Sequence, residues 1–405
     1  MKSTTSYIPE HFDPSTIDLE ELSADLKAIR EEIREDLGED DLLHLKKIER
    51  WGKTCTLLGY GTAWIAPNPL SSMLISQGLL TRWLLMHHIS HRGYDRVPDI
   101  PDKYTSKVFA HGFRRVFDWM DWILPEAWHE EHDFLHHYNL GEDDDPDLLE
   151  RNSEWMREQD VPMWQRKVLL GLLSVTWKWS YYAPGTRNAL QQAEARRNKE
   201  DIPEDEYILN PLTERGREVW LKAITPHALW RFGAIPAMFA PLGPIAVVNV
   251  MLNSLGAELI NNFHSFFIIG PNHTGEDMYR FEEPISCREE FYLRQIAGSA
   301  NYHTGTDLID WLQMWLNYQI EHHIWPDLTM LEYQKIQPKV KALCEKHEIP
   351  YVQESVFTRF KKMADVVIGK AKMISVKNLT DPIPRPGSSN DDADANTNAE
   401  PAAAE

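Results

Sequence analysis

The apolar positions of this chain fall into a few long uncharged runs separated by densely charged stretches. Between Asp18 and Gly38, Leu19, Leu22, Leu26, Ile29, Ile33 and Leu37 recur at steps of three and four. That spacing predicts an amphipathic helix that stops at Gly38. Its other faces carry Glu, Asp, Lys and Arg, so one apolar stripe is left to dock, and docking on its own domain is expected over a membrane surface. Residues 55–81 hold no charged side chain over 27 positions, and Pro67-Asn68-Pro69 divides them into two legs. With Trp51–Lys53 before and Trp83–Met86 after, each leg approaches the length of a bilayer helix, and each equally fits a buried soluble hairpin.

Residues 107–128 predict a helix too charged to span. Residues 163–186 predict a third, weaker membrane helix, interrupted by Arg166, Lys167 and Lys178. Residues 187–222 read as a helix and loop on the aqueous side. Residues 232–257 are free of charge for 26 positions, with Pro236, Pro241 and Pro244 breaking or kinking them. Apolar character resumes after Glu258 and runs to Ile269, which predicts a second hairpin or a kinked pair. Residues 271–350 read as a polar cap containing a helix over 331–347, and the Asp-, Asn- and Pro-rich tail from Asp381 is expected to be disordered. The expected fold is all-α: membrane-embedded helical hairpins with a cytosolic helical cap. Three segments are expected, an amphipathic helical segment over 1–50, the main body over 51–370 and the acidic tail over 371–405.

Charge excludes one class of partner. With 62 acidic and 42 basic residues the formal charge is −20, which argues against nucleic acid. Cys55, Cys287 and Cys344 are odd in number and not in CxxC spacing, so they read as free thiols in a reducing compartment. No basic n-region followed by an apolar core opens the chain, so no signal peptide is expected. The mean hydropathy, −0.46, is low for a membrane protein; two hairpins under a large polar cap account for it. Lys46, Lys47, Arg50, Arg92, Arg96, Arg166, Arg187 and Arg231 fall near the proposed membrane ends on one side, which suits a cap facing the cytoplasm.

The chemistry lies in three histidine clusters. His87 and His91 are four residues apart and His88 and His91 three apart, so either pair can chelate from one helix face. His132-x-x-x-His136-His137 repeats that geometry, and Gln319-x-x-His322-His323 adds a third cluster, with His264 as a further donor point. A single HxxxH arises readily by chance. Three clusters at the polar ends of apolar runs favour a shared metal centre over solvated histidines. Eight or more histidines exceed the four ligands of one zinc ion, which implies two metals. Nitrogen-rich sites with open positions suit iron, although zinc and copper also accept imidazole. A ferritin-type site needs two Glu-x-x-His motifs, and only Glu126-Ala127-Trp128-His129 is present.

These boxes, HxxxH, HxxxHH and QxxHH, in this order beside apolar hairpins, resemble the integral-membrane fatty acid desaturases over roughly residues 55–335. The third box is similar to the front-end variant. The resemblance implies a four-helix membrane base, a cytosolic cap with two irons, O2 as co-substrate, and an acyl chain reaching the metals through a narrow tunnel. It implies ligands His87 (or His88), His91, His132, His136, His137, His322 and His323. It also implies His264 as the extra histidine between boxes two and three, Asn261 or Asn262 as a water-bridging group, and Gln319 as a weak ligand or a neighbour of ligands. The substrate is then a fatty acyl lipid or an acyl-CoA or acyl-ACP thioester. No HPGG haem motif is present, so electrons are expected from a separate ferredoxin, cytochrome b5 or reductase. Hydroxylation or monooxygenation by the same centre is the alternative activity, and a non-catalytic metal-binding membrane protein is the alternative class.

The acidic stretch 130–147 is expected to be mainly a solvated loop, with docking of a basic partner or hydrogen bonds that fix the metal ligands as the other readings. His88, His129 and His273 are candidate donors to ligands or to that loop. His11, His44, His111, His227, His303 and His347 are expected to be ordinary surface or core residues. Trp311, Trp315 and Trp325 are expected to pack the core, with lining an acyl tunnel as the other reading.

Overall fold

The computed structural model describes residues 5–10, 12–200 and 208–377. His11, part of the polar excursion after residue 200 and the acidic tail from Asp381 lie outside the described residues. Helix α1 spans Leu19–Asp36, and the Asp18 side chain accepts from the Glu21 backbone N–H at its start. It buries Leu22, Leu26 and Ile33 and lies against the helices Arg288–Ala297 and Met330–Lys346. Lys339 pairs with Glu32 at 2.6 Å, and Lys346 pairs with Glu21 at 2.8 Å and Asp25 at 2.6 Å. The stripe docks on its own domain.

Gly38 ends that segment and opens α2, Glu39–Ala63. Helix α2 runs unbroken through residue 50, where the first expected segment ends. The Asn68 side chain accepts from Ser71 N at 2.8 Å and starts α3, Pro69–Ser90. The two helices approach closely at small residues: a Cβ on Gly78 would lie 2.1 Å from Thr56 Oγ1. Helix α3 sits between α2 and the long helix Pro244–Ile269. The three prolines do break the second apolar run. Helical turns end at Ala237, a short 3-10 turn covers Ala240–Leu242, and Gly243 with φ +101° admits the new helix.

Four expectations change. Residues 107–128 form only short turns, Gly112–Arg114, Arg115–Asp118 and Pro125–Trp128. Trp119, Trp122 and Ile123 are drawn into the core between them, and Pro125 starts a new turn. The helix Met163–Trp177 does not end at Thr186 but continues through a π-turn, Lys178–Tyr182, into Ala183–Asn198. Arg187 and Arg231 are not free charges at a membrane end. Arg187 is buried against Glu218 at 2.5 Å, and Arg231 is buried against Glu258 at 2.8 Å, because an unpaired interior charge is costly. Finally, the helical body carries two small parallel sheets. Tyr279–Phe281 pairs with Ile374–Val376, and Asn301–Tyr302 pairs with Gln353–Glu354. Residues 374–376 therefore belong to the body, beyond the expected boundary at 370.

Among the described residues one helix, Pro244–Asn272, is long and apolar enough to cross a membrane. The other apolar helices are interrupted by polar side chains, as α3 is by Ser71, Ser72, Gln77, Arg82 and its histidines.

Candidate metal centre and acyl cavity

Helix α3 delivers the first box. His87 lies in its last turn and His91 caps it, with His91 N bonded to His87 O at 3.1 Å. The second box sits on a π-helical segment, His129–His136. There the His137 N–H reaches back five residues to His132 O at 3.1 Å. Wider turns of this kind recur at functional sites, and here the widening brings His132, His136 and His137 to one side. Their ring centroids are 4.8 to 5.7 Å apart.

The third box follows a strained turn. Met314 and Trp315, neither of them glycine, take φ of +54° and +61°, a conformation costing on the order of 1–3 kcal/mol each. Asp310 holds it. Its carboxylate accepts from Asn317 Nδ2 at 2.7 Å and Tyr318 OH at 2.9 Å. The following helix, Gln319–Ile324, then presents His322 and His323 inward.

The histidines form two groups. His87, His91, His132 and His322 offer ligand atoms within 4.8 Å of one another, and His136, His273 and His323 do the same. His137 stands between the groups, with ring centroids 4.7 Å from His91, 5.0 Å from His322 and 4.3 Å from His323.

Of the residues expected from sequence, His264 is not brought into either group. Its Nε2 donates to Leu312 O at 2.9 Å on the far side of the Pro244–Ile269 helix. The helix runs on past it and a short turn, Gly270–Asn272, delivers His273 instead. Asn261 and Asn262 are committed elsewhere, Asn261 accepting from Lys178 Nζ and Asn262 from Lys178 N. His88 turns away from the groups and donates to Met314 O at 3.3 Å. Gln319 lies at the edge, with Nε2 2.9 Å from His273 Nε2 and Oε1 accepting from Asn272 at 3.0 Å.

The donor chemistry suits a metal pair. His91 Nε2, His323 Nε2 and both ring nitrogens of His132 and His137 are buried without a hydrogen-bond partner, which is costly for groups left unmatched. His87 Nε2 and His322 Nε2 face each other at 3.1 Å. Two imidazoles bound at right angles to one metal, at bond lengths near 2.1 Å, keep their nitrogens about 3 Å apart.

Burial, reinforced by neighbouring histidines, holds His132, His137, His322 and His323 well below the ordinary imidazole value. Burial brings His273 down to about 3. These rings are neutral at neutral pH and carry a lone pair, which on His273 Nε2 accepts from Gln319 Nε2.

The opposite ring nitrogens are fixed by partners, as metal-binding histidines require. His91 Nδ1 bonds Asp133 at 2.9 Å, His136 Nδ1 bonds Asp145 at 2.9 Å, and His322 Nδ1 bonds Tyr333 OH at 3.1 Å. His323 Nδ1 bonds Gln295 Oε1 at 2.9 Å, and His273 Nδ1 bonds Gly298 O at 3.0 Å.

The expectation of a solvated acidic loop therefore fails in large part. Glu131 and Asp145 are buried, and Glu142 pairs with buried Arg294 at 2.8 Å; Asp143 and Asp144 remain exposed. Burial opposes ionisation of Asp133, but His91 and His129 on either side outweigh it and hold the carboxyl low.

A cavity of about 370 Å³ runs from these rings. His87, His132, His136, His273 and Gln319 line its inner end. Trp83, Trp177 and Tyr182 line its wall, and Trp155, Leu169 and Leu172 are exposed at its rim. The lining is predominantly apolar, as a site for a long hydrocarbon requires. Fold and site together define a helical metal-site protein with histidines at the closed end of an apolar cavity.

Comparison with known proteins narrows the class. The family model for fatty acid desaturase matches residues 62–355. An NADPH-dependent stearoyl-CoA 9-desaturase of Mycobacterium tuberculosis is 25% identical over 367 residues, covering 85% of this chain and 78% of that protein. A Delta(6)-fatty-acid desaturase of Caenorhabditis elegans is 28% identical over 162 residues, 38% of this chain and 34% of that one. A Delta(8)-fatty-acid desaturase of Euglena gracilis is 30% identical over 106 residues, 26% and 25% respectively. The chain belongs to the fatty acid desaturase family. It is an oxidoreductase that desaturates fatty acyl chains.

Proposed function

We propose that the protein holds two iron ions in its histidine groups and uses O2 and an external electron donor to desaturate an acyl chain seated in the cavity. The observation that carries this reading is the set of buried, partnerless ring nitrogens at the closed end of that cavity. His87, His91, His132 and His322 would hold one ion and His136, His273 and His323 the other, with His137 between them. Bound iron supplies O2 activation and hydrogen abstraction from unactivated methylenes. Overall, the acyl chain, O2, two electrons and two protons become the unsaturated chain and two waters.

The residues of the chain do the rest. Asp133, Asp145, Tyr333, Gln295 and the Gly298 carbonyl fix which nitrogen of each ring faces inward. Trp83, Trp177 and Tyr182 exclude water and set which methylenes pass the histidines.

A bilayer setting, with the cap on the cytoplasmic side, is part of the proposal. Leu57, Ile65, Val168, Leu172, Leu229 and Ile245 are exposed large apolar side chains on the helical base, and such surfaces mark contact with membranes or partners. Acyl-CoA is the first carrier to test, since the mycobacterial relative is named for stearoyl-CoA.

The test is expression of the wild type and His322→Ala, with a reductase, in a host of simple fatty acids. A new double bond in the wild type alone supports the proposal. A hydroxylated product would replace desaturation by hydroxylation.

A further inference from the structure

The acidic run of the second box turns inward, and the half-buried side chain of Asp147 makes no hydrogen bond or ion pair with a described residue. We propose that Asp147 is an oxygen ligand at the seam between the two metal positions, on the side facing the cavity. This inference rests on the two-iron reading above.

Ligand atoms of Asp147, His132 and His136 lie within 4.8 Å of one another. His132 belongs to the first histidine group and His136 to the second, so Asp147 lies within 4.8 Å of one member of each. All three residues line the cavity.

The other ways to account for a carboxylate at this place fail. Arg151 is the nearby cation, but its guanidinium donates to Asp145 O at 2.8 Å and to Asn152 Oδ1 at 3.0 Å. The short helix Leu149–Asn152 that follows has Leu148 at its N-cap and no side-chain cap, so Asp147 does not cap it. The Asp147 backbone N–H is tied to Asp145 Oδ1 at 2.9 Å, the same oxygen that takes His136 Nδ1 at 2.9 Å. One carboxylate thus fixes both the ring and the backbone beside it, which is how a ligand pair is preorganised.

The first group has four imidazoles, the second has three, and His137 stands between them. Gln319 is engaged at both ends, its Oε1 by Asn272 and its Nε2 by His273. Charge agrees with geometry. Two divalent ions bring four positive charges into a site whose imidazoles are neutral, and buried charge must be matched. Asp133, Asp145, Glu131 and Asp147 supply four carboxylates from one stretch of chain.

The experiment compares purified full-length wild type with Asp147→Asn and Asp147→Glu, each loaded with ⁵⁷Fe. Metal content, chelator competition, Mössbauer spectra and the melting of the metal-free forms are measured. The wild type is expected to hold two irons. Asp147→Asn is expected to release at least one iron about tenfold more readily and to alter the Mössbauer doublets, while its metal-free form melts no lower than the wild type. Asp147→Glu should recover part of the affinity. An Asp147→Asn variant with two irons, unchanged spectra and unchanged chelator competition would overturn the ligand role while leaving the two-iron reading intact. A wild type that binds no iron would overturn both.

Discussion

Asp145→Asn tests whether ring orientation, and not the mere presence of histidines, builds the second of the two proposed metal positions. The Asp145 carboxylate is buried and accepts three hydrogen bonds. Oδ1 takes His136 Nδ1–H and the Asp147 N–H, and Oδ2 takes the Gly141 N–H at 2.9 Å. Burial works against protonating His136, and Asp145 outweighs it, leaving the ring above its ordinary value. An asparagine of the same shape has one acceptor oxygen and one NH2 group. Turned toward Gly141, the NH2 meets another donor and strands a buried N–H. Turned toward His136, it displaces the proton from Nδ1 to Nε2, and the nitrogen facing the metal position loses its lone pair. Either outcome forfeits a charge-assisted hydrogen bond of about 1.5–3 kcal/mol. At about 1.4 kcal/mol per decade, that is on the order of 10–100-fold in metal affinity. The assay is chelator competition on the iron-loaded protein, read beside circular dichroism to show that the variant folds. Affinity within twofold of wild type would refute the argument that Asp145 sets the tautomer of His136.

Other predictions follow from the same structure. Tyr333 OH accepts from His322 Nδ1 and donates to the Trp325 and Pro326 carbonyls at 3.0 and 3.1 Å. Tyr333→Phe should therefore weaken iron binding by about 10–100-fold, measured by the same competition. Leu173 lines the cavity, so Leu173→Trp should shorten the longest acyl chain converted, read by profiling products from a mixed acyl pool; an unchanged chain-length profile would mean the substrate lies elsewhere. Buried Arg359 grips Asp277 through two contacts, at 2.6 and 2.8 Å, and the Thr274 carbonyl at 3.2 Å, holding the turn that carries His273. Arg359→Ala should cost about 1.5–3 kcal/mol in chemical denaturation. Burial raises the Asp277 carboxyl, but Arg359 and Lys362 outweigh it and hold it below the ordinary value. The stability from this pair is thus fully present above the ordinary carboxylate range and is lost as pH falls through the lowered value. The acid transition of Arg359→Ala should be shallower there; an identical acid profile would rule the linkage out.

Much of this architecture was legible because its signals are local. Proline and asparagine at 67–69 mark the hairpin turn, the stripe from Leu19 to Leu37 marks α1, and paired histidines at helical spacing mark the two histidine groups. The remainder depends on directions that spacing does not encode. His264 and His273 are equally plausible donors until the helix from Pro244 is seen to carry His264 past the site and the turn after Gly270 to carry His273 into it. The Gly-Pro-Asn preceding His273 is the signal that could have found it, since it ends the helix where the apolar run ends. The acidic stretch reads as solvated because Asp and Glu are usually exposed. It turns inward because Asp133 and Asp145 orient ring nitrogens, and Glu142 meets Arg294 from a helix about 150 residues away. The π-helical register of the second box and the left-handed turn at Met314 and Trp315 leave no mark in hydrophobic periodicity. Both arise where tertiary contacts, Asp310 among them, over-determine the backbone.

The most direct test of the central claim is a single turnover with purified, iron-loaded protein, chain-deuterated stearoyl-CoA, dithionite and O2, analysed by mass spectrometry of the acyl product. A histidine-held iron centre acting on a chain in the cavity predicts one double bond, loss of two adjacent deuterium atoms, and no conversion after iron is removed by a chelator. A product that keeps its chain saturated and gains oxygen, or conversion that survives complete removal of metal, would contradict it.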